Sequence, residues 1–258
     1  MTTGEDETAA RATKRVKTGE EEAAVAQEEG EKKEIPVEEK RELTLYSYWR
    51  SSCSWRVRMA LAAKGIEYRY KAVSLIKDGG EHRQKEYETM NPMQQVPALV
   101  DVDEFVVTQS VAILEYLEER YPDTPRLLPD DVKQRARVRR IVEIINSGTQ
   151  PIQNMRVLNK IEALGGNKLA WAKEAIEEGF VALEAELQRV PNRKEGDYCI
   201  GETLTLADCA LVPQVYNANR FKVDMTRFPL IEKVNKALED HPAVQKSHPD
   251  FQPDAPMN

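Results

Sequence analysis

Cysteine and histidine are both scarce in this sequence, three of each in 258 residues. Cys53, Cys199 and Cys209 are odd in number and far apart, which excludes a disulfide framework. His82, His241 and His248 do not combine with them into any metal-binding spacing, so no metal is expected. Long apolar runs are missing too: nothing approaches the roughly 18 residues that a membrane span needs. The opening MTTGEDETAA has no apolar core of the secretory kind, and a soluble cytoplasmic protein without a membrane partner is expected. Excess positive charge is absent, with 37 Lys plus Arg against 44 Asp plus Glu and a net charge of −7. That balance gives no basis for nonspecific nucleic-acid binding.

Residues 1–42 carry 13 acidic and 8 basic side chains, no aromatic residue and few large aliphatics. Such a segment cannot bury enough apolar surface to offset its ordering entropy, so a disordered charged tail is expected. Its cluster Arg11, Lys14, Arg15 and Lys17 has the composition of a nuclear-import address, but such clusters are weakly specific and a solvated charge cluster is the favoured reading.

From residue 43 the pattern turns globular. LTLYS alternates as a strand, WRVRMALAAKG has helical spacing with a stop at Lys64-Gly65, and IEYRYKAV puts Ile66, Tyr68, Tyr70 and Ala72 on one face of a second strand. VPALVDVDEFVVT predicts two antiparallel strands around a turn at Asp101 to Glu104, and QSVAILEYLEERYP a helix ended by Pro122. The order β-α-β then β-β-α is the thioredoxin arrangement in outline. Beyond the proline-punctuated YPDTPRLLPDD only helical patterns remain. Leu169, Ala172, Ile176, Phe180, Leu183 and Leu187 form one stripe, and Thr205 with Asp208 resembles a capping box. The boundaries that follow are 43–122 for a thioredoxin-like domain, 123–129 for a linker and 130–258 for an all-helical domain.

The chemistry concentrates in RSSCSWRVR, where the first strand gives way to the first helix. A helix N-terminus offers unpaired N–H donors and about half a positive charge, which stabilise a thiolate. Two readings are open: Cys53 is the nucleophile, or Ser51 and Ser52 hydrogen-bond a thiolate that a bound cofactor brings. Arg56 occupies the place of a second cysteine in a dithiol motif, which excludes an internal disulfide cycle. Val96-Pro97, read as a cis bond, would turn the Val96 backbone toward a peptide-like ligand. Ser110, after Gln109, reads as a helix N-cap able to take a carboxylate. Together they describe a site for an extended peptide with a thiol and a carboxylate. Among the tryptophans, Trp49 and Trp55 are candidates to line it, whereas core packing is the expected role of Trp171.

SSCSWRVR, LIKDGG, NPMQQVPAL, QSVAILEYLEE, RLLP, LADCALVPQVYNA and RFKVD resemble the zeta-class glutathione S-transferases, the maleylacetoacetate isomerases. The resemblance runs from about Leu43 to Asp254 and leaves the tail outside. It implies a glutathione transferase fold, α/β plus all-α, a homodimer, and glutathione as cofactor. The implied reaction is isomerisation of maleylacetoacetate to fumarylacetoacetate in tyrosine and phenylalanine breakdown, with transferase and α-haloacid dehalogenating side activities. In it the glutathione thiolate adds to the cis double bond, the resulting single bond rotates, and the thiolate leaves.

Carried over residue by residue, Ser51 is the principal donor to the glutathione sulfur, with Ser52 and Cys53 beside it and Ser54, Trp55 and Arg56 in the same loop. Val96, Gln109 and Ser110 match contacts to the peptide and its γ-glutamyl end, and Gln150 and Asn154 match contributions of the helical domain. Pro151 is expected to perturb a helix there. His82 stands where many members carry glutamine near the glycyl end. Arg50, Arg156 and Arg220 are the candidates for substrate carboxylates, because guanidinium groups bind them bidentately. The competing readings are a conjugating glutathione transferase, a thiol transferase working through Cys53, and a noncatalytic binding protein that keeps the fold.

Overall fold

The structure is a computed structural model that describes residues 41–256. Apart from Arg41 and Glu42, the predicted tail and its basic cluster lie outside the described residues. β1 (Thr44–Ser47) buries Leu45 and Ser47 and leads into α1 (Ser52–Lys64). A left-handed Gly65 at φ 66° stops that helix, as the sequence predicts. β2 (Arg69–Ala72) then pairs parallel to β1, with Thr44 opposite Arg69. After the short helix α2 (Lys85–Met90), β3 (Ala98–Val100) runs antiparallel to β1 and β4 (Val106–Thr108) antiparallel to β3, giving the order β2-β1-β3-β4. α3 (Ser110–Arg120) closes this half. The predicted face of β2 is only partly realised. Ile66 precedes the strand, and Ala72 is exposed because β2 lies at the sheet edge.

The second half is helical: α4 (Val132–Asn146), α5 (Met155–Ala163), α6 (Lys168–Gln188), α7 (Leu206–Arg220), α8 (Pro229–Leu238) and α9 (Pro242–Ser247). The α6 stripe is buried from Ala172 to Leu187, but Leu169 is 60% exposed and does not belong to it. Pro151 perturbs no helix, since it falls in the turn between α4 and α5. At the start of α7 the box forms: the buried Asp208 carboxylate accepts from the Thr205 N–H and hydroxyl, both at 2.7 Å. It also accepts the Cys199 N–H at 2.7 Å, so it holds the preceding loop as well as the helix end.

Ten of the thirteen residues of α1 are buried. A helix covered on all sides has little amphipathic asymmetry, which is why its sequence reads so mixed. α1 packs between the sheet and helices α7 and α9, and one hydrophobic core runs from Leu45 and Leu99 through Met59 and Leu61 to Leu211 and Val244. The two halves therefore share a core. The connection between them is also fixed: the buried pair Lys64–Glu118 (2.7 Å) binds the Pro125 carbonyl and the Leu127 and Leu128 N–H groups. Among the described residues no helix is long and apolar enough to cross a membrane.

Arg58 is fully buried, which the sequence did not suggest. Its guanidinium donates to Ser47 Oγ (3.0 Å) and to the carbonyls of Tyr48 (3.3 Å), Trp49 (2.9 Å) and Ser247 (3.2 Å). From the other side Asp254 accepts the Trp49 N–H at 3.0 Å and the Tyr70 hydroxyl at 2.6 Å. The loop that leads into α1 is thus clamped by α1 itself and by the C-terminal segment. Arg58→Met should lower unfolding free energy by about 2–4 kcal/mol, because it strands several buried carbonyls. Arg58→Lys should rescue little, since one ammonium cannot span them. Urea titration with an unchanged m-value checks both, and wild-type stability of Arg58→Met would contradict the clamp.

The three histidines supply a pH dependence. Nδ1 of His241 accepts the Ala243 N–H at the start of α9, Nδ1 of His248 accepts the Asp250 N–H, and the His248 ring packs edge-on to Trp55 at 5.2 Å. Burial holds the pKa of His82, His241 and His248 below the ordinary imidazole value. The unfolded chain therefore takes up protons before the folded one does. Stability should be full above the unfolded value of about 6.5 and fall as pH drops through it. Denaturant titrations at about pH 7.5 and 5.5 should show the loss, and His248→Asn, which keeps a capping acceptor, should reduce it. Equal stability at the two pH values would refute this.

Candidate functional site

Two connected depressions open where the sheet meets the helical half, a cleft of about 930 Å³ and a smaller lobe of about 400 Å³. Ser51 lines both. It is the N-cap of α1, and its Oγ accepts the Ser54 N–H at 3.2 Å. A hydroxyl that accepts still has its proton to give, so Ser51 can donate to a ligand atom at the junction. Cys53, half-buried, faces the cleft, and the buried Ser52 lines the lobe.

Two of the expected loop contacts are not contacts. Trp55 is 3% exposed, and its Nε1 donates to Ser247 Oγ at 2.9 Å inside the core. Ser54 is fully buried behind Ser51. Their direction follows from helical geometry, which turns these positions of α1 inward. Arg56 is also fully buried; it donates to Ser110 Oγ and Asn146 Oδ1, both of which belong to cleft-lining residues. The tryptophans depart from expectation, and none of the three lines either depression. Trp55 is the core residue, and Trp49 lines neither depression. Trp171 is 40% exposed, with its Nε1 donating to the Ile152 carbonyl.

The cleft is also lined by Val96, Gln109 and Ser110, and the Val96-Pro97 bond is cis. Ser110 is the first residue of α3 and not its cap. The cap is Gln109, at φ 71° and ψ 117°, a backbone conformation that costs about 1–3 kcal/mol for a residue with a side chain. Strain of that kind persists where it serves a site, and here it brings the first N–H groups of α3 to the cleft. Gln150 and Asn154 line both depressions, and Asn154 also caps α5 by accepting the Arg156 N–H at 3.1 Å. His82 lines the cleft.

The arginine candidates separate. Arg50 and Arg220 line the lobe, where partial desolvation, and then the like charge of Arg50, lowers the pKa of Arg220. Arg156 lines the cleft instead. Asn146, Lys168, Leu169 and Asn217, which were not expected at the site, also line the two depressions. The asparagines carried no signal, while Leu169 was hidden by its fit to the α6 stripe.

Among the described residues no aspartate or glutamate lines either depression. Seven basic side chains do: His82, Arg83, Arg156 and Lys160 in the cleft, and Arg50, Lys168 and Arg220 in the lobe. Hydroxyls, amides and a helix N-terminus complete a lining suited to an extended anionic ligand beside a second anion.

The model of the glutathione S-transferase N-terminal domain matches residues 41–119, and that of the C-terminal domain matches residues 159–246. Maleylacetoacetate isomerase of Rattus norvegicus is 53% identical over 212 residues, covering 82% of this chain and 94% of that one. The enzyme of the same name in Dictyostelium discoideum is 48% identical over 214 residues, covering 82% and 95%. Among solved structures, a bacterial maleyl pyruvate isomerase described as a zeta-class glutathione S-transferase superposes with a TM-score of 0.77 at 44% identity, over 83% of this chain and all of that one. Maleylacetoacetate isomerase from Anaeromyxobacter dehalogenans, with dicarboxyethyl glutathione and citrate bound, superposes with a TM-score of 0.72 at 44% identity, over 83% and 98%.

A four-stranded thioredoxin-like sheet joined to a helical half, matched by both domain models, is the glutathione S-transferase fold. Within that class, this chain belongs to the zeta-class family of maleylacetoacetate isomerases.

Proposed function

We propose that this protein is a glutathione-dependent cis-trans isomerase that converts maleylacetoacetate to fumarylacetoacetate in the breakdown of tyrosine and phenylalanine. The observation that carries the reading is Ser51, capping a helix N-terminus, standing between a donor-lined cleft and a lobe whose two arginines pair with no carboxylate among the described residues. When bound, glutathione supplies a thiolate that adds to the cis double bond and departs after rotation, so it is regenerated.

In this reading Ser51 donates its proton to the sulfur, and the N-terminus of α1 adds positive potential there. Ser52 and Cys53 complete the wall, Val96, Gln109 and Ser110 hold the peptide, and Gln150 and Asn154 close the cleft from the helical side. His82 serves the glycyl end. Arg50 and Arg220 take the carboxylate or enolic ends of the substrate, and Arg156, placed with the cleft, serves the cofactor side. The bound malonate in the glutathione complex of the Methylobacterium extorquens isomerase and the citrate in the Anaeromyxobacter enzyme support a dicarboxylate reading of the lobe. We also assign the thioredoxin-like domain to residues 43–122 and the helical domain to 130–258. A cytoplasmic location fits three free thiols and a reaction that needs reduced glutathione.

With maleylacetoacetate and catalytic glutathione, many turnovers per glutathione are expected. Stoichiometric loss of glutathione would instead indicate conjugation. Ser51→Ala removes a hydrogen bond to a charged atom and should slow turnover roughly ten- to a hundredfold. Cys53→Ala should keep most of it, and Arg220→Met should raise the substrate KM with little change in that for glutathione. Loss of turnover in Cys53→Ala with retention in Ser51→Ala would make the protein thiol the nucleophile.

The proposal includes a homodimer, supported by the exposed Val102, Phe105 and Val106 along the β3–β4 hairpin. Sedimentation at micromolar concentration should give twice the chain mass of 29.4 kDa, and a monomer would contradict it.

A further inference from the structure

Arg56 lies in the first half of α1 with no part of its side chain in contact with water. Nη1 donates to Ser110 Oγ at 3.1 Å and to Asn146 Oδ1 at 2.8 Å, while Nε and Nη2 have no partner among the described residues. No carboxylate among the described residues pairs with it. A buried guanidinium without a counter-ion is costly, and proteins retain one where something else compensates it.

Arginine only donates, and this fixes the sense of its neighbours. Ser110 must offer it an oxygen lone pair, so its hydroxyl proton stays free. Asn146 must turn its carbonyl oxygen inward, so its amide hydrogens stay free. Both residues line the cleft. The first intrahelical bond of α3 runs from the Ile113 N–H to the Gln109 carbonyl, which leaves the N–H groups of Ser110, Val111 and Ala112 without helical acceptors. The hydroxyl proton, the amide hydrogens and the free helix N–H groups at this end are all donors, and the charge behind them is positive.

We propose that Arg56 is the buried counter-charge of a carboxylate subsite at Ser110, and that it acts as a positioning residue by setting Ser110 and Asn146 as donors toward one carboxylate of glutathione. It touches neither the sulfur nor the substrate. The subsite is complete only when the carboxylate arrives, so Arg56 couples cofactor binding to relief of its own unpaired burial. This inference rests on glutathione being the cofactor.

The test is calorimetric titration of wild type, Arg56→Met and Arg56→Lys with three ligands. They are glutathione, γ-aminobutyryl-cysteinylglycine, which lacks the γ-glutamyl carboxylate, and glutathione with its glycyl carboxylate converted to an amide. Wild type should lose roughly ten- to a hundredfold in affinity for one of the two analogues, and which one identifies the carboxylate. Arg56→Met should bind glutathione weaker by a similar factor and no longer discriminate against that analogue, while Arg56→Lys keeps most of the discrimination. Without ligand, Arg56→Met should melt no lower than wild type, because it removes an uncompensated charge. A purely structural arginine would give the reverse: a lower melting temperature and intact discrimination, which would overturn the proposal. Equal affinity of wild type for all three ligands would overturn it even if Arg56→Met does not fold. No binding of glutathione to wild type would remove the functional reading itself.

Discussion

The Arg58 guanidinium, set in the seam where β1 turns into α1, hydrogen-bonds only to oxygens of uncharged groups. Three of those groups are carbonyls, two from the loop before Ser51 and one from the end of α9. A single rigid fork therefore fixes the loop against both halves of the molecule at once. Asp254 completes the arrangement by taking the Trp49 N–H. Arg50 and Ser51 follow directly from that hold, and Ser51 adds a tie of its own as the cap of α1, accepting the Ser54 N–H. The shared core around α1 is the apolar counterpart of the same constraint.

Arg56 and Arg58 lie two residues apart on one helix, and both are wholly buried. All of Arg58's hydrogen bonds are to protein, whereas Arg56 has two donor nitrogens left over. The difference lies in what each faces. Arg58 meets backbone carbonyls at the end of a strand, and a carbonyl can only accept. Arg56 meets side chains that line an open cleft, and each of those has a second, donating end. One arginine thus serves the loop, and the other serves whatever occupies the cleft.

Much of this was legible in the sequence. Alternation in LTLYS, the Gly65 stop and the Thr205–Asp208 box each depend on a few neighbouring residues, and local rules describe them well. The same holds for Ser51 as a helix cap. What escaped was whatever depended on which way a helix faces. Ser54 and Trp55 share a nine-residue string with Ser51, yet helical rotation carries them into the core. Leu169 fits the period of α6, but the helix begins to emerge there and leaves it beside the substrate lobe. Arg58 reads as a surface charge in any composition count, because nothing near it in sequence announces the carbonyls it serves. Ser110 as cap was off by one residue, and the strained Gln109 has no local signature at all.

The distribution of charge along the site bears on its chemistry. A thiolate that must both add and leave is ill served by very strong stabilisation, since nucleophilicity falls as thiol pKa falls. A neutral hydroxyl and a helix N-terminus lower that pKa moderately. Full charges sit to either side, Arg56 behind Ser110 in the cleft and Arg50 with Arg220 in the lobe, where the proposed function puts carboxylates that do not react. Such an arrangement binds two anions next to each other without placing a cation against the sulfur. It also explains why acids are absent from the whole lining: any carboxylate there would neutralise an arginine that the ligands need and would raise the pKa of the thiol between them.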